Sequence, residues 1–69
     1  MKINRPFDLL EQAKDRNVQI ELEDGEKISG VLRCFDSHLN LVIENAKIGN
    51  KQYPLLLLRA FKGSLSIKE

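Results

Sequence analysis

The chain has 69 residues, one histidine and one cysteine, and its 11 Lys and Arg stand against 10 Asp and Glu for a formal net charge of +1. That length sustains one domain with one small core, near the size at which an isolated core becomes marginal, so association with further copies is expected. The composition excludes a polybasic tail, an internal disulfide, and a metal site built from His and Cys within one chain.

The opening MKINRPFDLL lacks the long apolar core of a signal peptide, and the run Leu55 to Leu58 is far too short to span a bilayer. A cytoplasmic protein with no membrane partner is expected. Residues 5–16, RPFDLLEQAKDR, predict a short helix, with Pro6 at its first position, Asp8 in its first turn, and Asn17 able to end it. Phe7, Leu10 and Ala13 or Lys14 share one face, and a helix this short must pack that face against something else.

From residue 17 to 23, Val18, Ile20 and Leu22 alternate with Gln19, Glu21 and Glu23, the pattern of a half-buried strand. Asp24-Gly25 predicts a type I′ hairpin turn. A long second strand follows over 26–36. Gly30 near its middle predicts a bend, a bulge or a close backbone approach, the device by which a small sheet curls into a barrel. Cys34 falls within the apolar pattern and is expected to be a buried thiol.

After the segment Asp36-Ser37-His38-Leu39-Asn40, a third strand is predicted over 39–46, with Leu39, Leu41 and Ile43 on one face. A connection from Ala46 to Gln52, turning at Gly49-Asn50, leads into a fourth strand over about 52–60. Its run Tyr53-Pro-Leu-Leu-Leu-Leu-Arg59 is continuously apolar, so both faces are expected to be covered, which in so small a protein points to a neighbouring chain. Pro54 cannot donate to a ladder, which places the beginning of this strand at an edge or a bulge. A last strand over 64–68 points Leu65 and Ile67 inward. The fold class is mainly β: a short helix, then five antiparallel strands forming one strongly bent sheet and a small open barrel over residues 1–69.

These residues carry a family resemblance. In EDGEKISGVLRCFDSHLNLVIENA, the positions Gly25, Gly30, Leu32, Phe35, Asp36, Leu39 and Asn40 are similar to the first motif of the Sm-like (Lsm) proteins, and RPFDLL resembles that family's N-terminal helix. The resemblance covers about residues 5 to 60, and the short connection into the fourth strand is similar to that of the compact archaeal members. It implies an SH3-like barrel whose fourth strand pairs with the fifth strand of the next copy to close a ring, most often a heptamer, with other Sm-like chains able to join. It also implies binding of U-rich single-stranded RNA at the central pore, in RNA processing, chaperoning or turnover.

Carried over by position, His38 stacks on a base, Asn40 bonds its edge, Arg59 covers its other face and Asp36 holds Asn40 in place. The chemistry suits the roles, since exposed single-strand bases are bound by stacking plus polar contacts to their pairing edges. The chain departs from the family where Arg59-Ala60-Phe61-Lys62-Gly63 replaces Arg-Gly and a polar pair. Either Ala60 strains the turn or narrows the pocket, or Gly63 supplies the flexible position while Lys62 adds a phosphate contact and Phe61 a packing or stacking surface.

Other function classes fit less well. Ser37 and His38 are sequence neighbours with no third group to orient a base, the acidic hairpin Glu21, Glu23, Asp24 and Glu26 offers no visible pocket, and no cofactor motif is present, so no enzyme is expected. Two further readings remain open: a structural Sm-like ring with a drifted RNA pocket that acts through protein partners, and a monomeric SH3-type barrel that binds a peptide.

Overall fold

A computed structural model of the protein describes residues 6–68, in the order helix then five strands. The helix α1 spans Pro6–Ala13 and buries Leu10 and Ala13, while Leu9 packs at the margin of the core. The expected contribution of the Phe7 side chain lies outside what the structure describes, as do Arg5 and the start of the predicted helix. Lys14 is exposed. The helix ends earlier than Asn17 because the following turn is captured by the sheet. Asp15 takes φ 65°, its N–H donates to the Leu32 carbonyl at 2.6 Å, and its carboxylate meets Arg33 at 3.3 Å.

β1 (Asn17–Leu22) buries Val18 and Ile20 as the alternation requires. Its link to β2 (Lys27–Phe35) differs from a two-residue type I′ turn. Glu21 pairs with Lys27, the Leu22 N–H donates to the Glu26 carbonyl, and the Gly25 N–H donates back to the Leu22 carbonyl. Only Gly25 in this loop has a positive φ, and the Asp24 carboxylate accepts the Glu26 N–H. This is the three-residue loop in which a turn is followed by one left-handed residue. It wins here because Asp24 closes the turn with its side chain instead of adopting the positive φ that type I′ demands.

β3 (Leu41–Ile48) and β4 (Lys51–Leu58) are joined by Gly49-Asn50 alone, a shorter connection than the predicted 46–52, since Lys47 and Ile48 still pair with Gln52 and Lys51. β3 also starts later than residue 39, for Leu39 sits at φ 61° and cannot belong to a strand. With β5 (Gly63–Ile67) pairing antiparallel to β1, the sheet order is β4-β3-β2-β1-β5. Gly63 opens β5 at φ 136°, and a Cβ there would collide with the Glu21 carbonyl, so this glycine serves the β1–β5 pairing.

Two irregularities between β2 and β3 shape the sheet. Between the pairs Ser29↔Lys47 and Val31↔Glu44, β3 carries one residue more than β2, and Asn45 takes it up at φ 54°. Gly30 faces this bulge, and a Cβ at Gly30 would lie 2.6 Å from Ile43 Cγ2 and 2.9 Å from the Glu44 carbonyl oxygen. The close approach predicted for Gly30 is therefore present. Pro54 lies across from Asn45 in the β3–β4 register, between Glu44↔Leu55 and Ala46↔Tyr53, where it removes no pairing the bulge had not already broken.

The second irregularity lies at Arg33, the extra residue between Leu32↔Ile43 and Cys34↔Val42. It advances the side-chain alternation by one position. Phe35 thus packs against the core, and Cys34, expected to be buried, is exposed.

The core is built from Leu10, Val18, Ile20, Leu32, Leu41 and Ile43 with their neighbours. β4 and β5 are the two open edges. Leu56 and Leu58 pack on the core, whereas Tyr53, Leu55 and Leu57 remain 36%, 64% and 58% exposed. Within one chain, then, only one face of the apolar run is covered. Replacing Gly30 with Ala is expected to destabilise the protein by about 1–3 kcal/mol, because the methyl group has no room between Ile43 and Glu44. Urea unfolding of the two proteins measures this directly.

Candidate functional site

Two loops, 36–40 after β2 and 59–62 after β4, meet at one end of the sheet. The first is organised by Asp36. Its Oδ1 accepts the His38 N–H at 2.9 Å and the Asn40 N–H at 3.1 Å, and its Oδ2 accepts the Asn40 side-chain amide at 3.0 Å. Backbone bonds between Asp36 and Asn40 and from Leu39 to Asp36 complete the turn. The Asn40 side-chain amide is the strongest influence on the Asp36 carboxyl. With the Asn40 N–H, the His38 N–H and the His38 charge, it outweighs desolvation and holds the pKa below its ordinary 3.8.

The second loop is tied to the first at two points. Asn40 Oδ1 accepts the Ala60 N–H at 3.0 Å, and the Leu39 carbonyl accepts the Phe61 N–H at 2.8 Å. Asn40 is therefore held at both ends of its amide: a carboxylate can only accept, so Nδ2 faces Asp36, and a backbone N–H can only donate, so Oδ1 faces Ala60. This fixes the orientation of the amide without ambiguity. One N–H and one lone pair of the four bonding positions stay unused by these contacts, an adjacent donor and acceptor in a set order.

The structure thus brings Asp36, Asn40 and the Arg59-Ala60 turn into one unit. His38 is exposed and joins the unit through its backbone N–H. Arg59 and Lys62, both exposed, line an open depression of about 340 Å³ together with the β1–β2 loop at Glu23 and Asp24. Phe61 is half-buried and packs on the core, which decides between its packing and stacking roles in favour of packing. Ala60 adopts φ 50°, the left-handed conformation that glycine takes without cost. Gly63 does not stand in for it, being engaged in the β1–β5 pairing. Among the described residues, no group of three or more His, Cys, Asp and Glu side chains is placed to hold a metal ion, and no helix is long and apolar enough to cross a membrane.

The LSM domain model matches residues 8–65, nearly the whole chain. This chain belongs to the LSM domain family. It is 41% identical over 44 residues to a protein of Methanosarcina barkeri described as snRNP Sm-like, and that match spans 64% of the chain and 61% of its relative. The Sm protein of Pyrococcus abyssii, solved in complex with a uridine heptamer, superposes with a TM-score of 0.84 at 27% identity, covering 94% of this chain and all of that one. The SmAP1 heptamer of Pyrobaculum aerophilum superposes at 0.81 with 26% identity, covering 99% of each chain.

The Leu39 carbonyl was invisible in the sequence, since Leu39 was expected in a strand and nothing in a Leu announces a left-handed conformation. For Ala60, the positive φ agrees with the first of the two alternatives, a strained turn where the family resemblance implies glycine. Two outcomes follow for this LSM chain. Exchange of Ala60 for Gly should relieve about 1–2 kcal/mol of left-handed strain. The greater chain entropy of glycine offsets about 0.5–1 kcal/mol of that, so thermal unfolding should show a net stabilisation. The Asp36 contribution to loop order is fully present above its ordinary pKa of 3.8 and is lost as pH falls through the lowered folded value. The His38 and Asn40 backbone amide resonances should accordingly shift together, with a midpoint below 3.8.

Proposed function

We propose that this protein is a ring-forming RNA-binding scaffold that captures U-rich single-stranded RNA at a central pore and carries out no bond chemistry itself. The observation that carries the reading is the locked amide of Asn40. Its free N–H and free lone pair match the acceptor carbonyl and ring N–H of uracil. Cytosine presents the reverse order on that edge. An amide free to turn over would accept both bases, whereas one clamped between Asp36 and Ala60 discriminates, since the wrong base leaves polar groups unpaired.

In this reading Asp36 positions Asn40, the exposed His38 stacks on one face of the base, Arg59 covers the other, and Lys62 contacts phosphate. The intact hydrogen bond through the Ala60 backbone favours a working pocket over a drifted one that acts only through protein partners. The solved relative holding a uridine heptamer is consistent with the base class.

Ring formation is supported by the open edges. Tyr53, Leu55 and Leu57 leave apolar surface exposed on β4, and β5 at the opposite end offers a second unpaired edge. Burying a leucine stabilises by about 1.5–3 kcal/mol, so covering Leu55 and Leu57 against the next copy is a substantial drive to assembly. A heptamer, as in the Pyrobaculum relative, is the ring we propose, in the cytoplasm, serving RNA processing, chaperoning or turnover. Repeated pockets make weak single contacts sufficient: stacking of roughly 1–3 kcal/mol per base is amplified when linked sites engage one strand.

Binding of oligo-U and oligo-C to the wild type and to Asn40→Ala tests the proposal. Wild type should prefer oligo-U, and the variant should lose about ten-fold or more of that affinity, on the scale of one or two lost hydrogen bonds to an exposed base. Equal, weak binding in all four combinations overturns it, and a mass near that of a single chain in light scattering overturns the ring.

A further inference from the structure

Two non-glycine residues in the left-handed region, Leu39 at φ 61° and Ala60 at φ 50°, meet where the two loops of the site join. The Leu39 carbonyl accepts the Phe61 N–H, and Asn40 Oδ1 accepts the Ala60 N–H. A left-handed Leu or Ala persists only where its surroundings hold it there.

The two residues are held unequally. Leu39 sits inside the turn that Asp36 organises: its own N–H donates to the Asp36 carbonyl, and the Asp36 carboxylate accepts the N–H groups of His38 and Asn40 on either side. The 59–62 loop has no such network among the described residues. Its ends are pinned in ladders, Leu58 to Leu41 and Gly63 to Leu22, and between them the two bonds to Leu39 and Asn40 keep Ala60 in place. The cost of one left-handed alanine is of the same order as the net gain from two hydrogen bonds at an exposed junction. A released arrangement, in which Ala60 leaves the left-handed region and both bonds open while Leu58 and Gly63 stay paired, therefore lies close in free energy to the locked one.

We propose that Ala60 is the latch of the base pocket: its strained backbone keeps the locked site in exchange with a minor released state, and the balance between them sets how sharply the site separates uracil from cytosine. In the locked state the Ala60 N–H and the Asp36 carboxylate together fix the Asn40 amide, which then offers its donor and acceptor in one order. In the released state Asp36 alone orients the amide, so the side chain turns over more readily and admits cytosine. Uracil is bound best by the locked state and cytosine through the released one, so the ratio of the two affinities follows the populations. The inference rests on the base-pocket reading above and makes Ala60 a positioning residue that acts through Asn40.

A methyl group that merely narrowed the pocket would act through its volume, whereas the latch acts through backbone preference. Substitutions at position 60 separate the two. Gly is smaller than Ala and Asn is larger, yet both tolerate the left-handed region, while β-branched Val is nearly barred from it.

The test compares wild type with Ala60→Gly, Ala60→Asn and Ala60→Val, each confirmed as folded and of wild-type mass. They are titrated with UMP and with CMP, single nucleotides that avoid amplification across linked pockets, and hydrogen exchange at the Phe61 N–H is followed without nucleotide. Ala60→Gly and Ala60→Asn should both raise the UMP-to-CMP affinity ratio by about two- to five-fold, the net relief of left-handed strain expressed as population. Both should slow Phe61 exchange by a similar factor. Ala60→Val should bring the ratio toward one and speed the exchange, and the Gly and Asn variants decide the test where the Val variant does not fold.

A ratio that moves in opposite directions for Gly and Asn follows side-chain volume and overturns the proposal. A ratio unchanged across the series, with wild type still preferring UMP, overturns the latch and leaves the base pocket standing. Wild type that binds UMP and CMP alike overturns the base reading and the latch with it, so the behaviour of wild type tells the two failures apart.

Discussion

The close approach of β2 and β3 at Gly30 is the constraint on which the rest depends. Asn45 inserts an extra residue opposite a position that has no side chain, so the two strands press together and the sheet bends where a regular ladder would stay flat. The bend allows one small sheet to wrap its own core, with Ile43 and Ala46 both buried on either side of the bulge. The ends of β2 and β4 flank the start of β3, since Leu41 pairs with both Phe35 and Leu58, and the loops at 36–40 and 59–62 join there.

The site depends in turn on the locking of a single side chain. Asn40 is fixed by an acceptor on one side and a donor on the other, and both are supplied by short loops. Neither partner is buried, so the arrangement gains its rigidity from the number and direction of bonds around Asp36 rather than from exclusion of water. Preorganisation of this kind lowers the ordering cost of binding, which in the proposed function matters because each pocket would take a single base.

Most of the architecture was legible in the sequence because it rests on periodicity. Val18 and Ile20, and Leu41 and Ile43, announced which face they serve, whereas the continuous apolar run after Pro54 announced none, and within the chain only Leu56 and Leu58 pack on the core. Register was less legible. Cys34 and Phe35 exchanged places because Arg33 is bulged, and no local residue preference signals an extra residue in a strand. The Asp24-Gly25 loop and the end of α1 differed for a related reason: side-chain and sheet contacts of Asp24 and Asp15 overrode the usual turn and cap. At the site, motif resemblance identified Asp36 and Asn40, while the backbone groups of Leu39 and Ala60 that complete it lie in conformations their side chains disfavour.

The open β4 edge has a consequence for how tightly the fold is held. Leu55 and Leu57 are exposed in the single chain, and the unpaired backbone of β4 lies beside them. In the proposed ring, the free energy that comes from covering that edge enters by mass action, and the unfolding midpoint becomes a function of protein concentration. Dilution of such a ring acts as a denaturant. The loop that follows β4 carries Arg59 and Ala60, so ring formation would link site order to chain concentration.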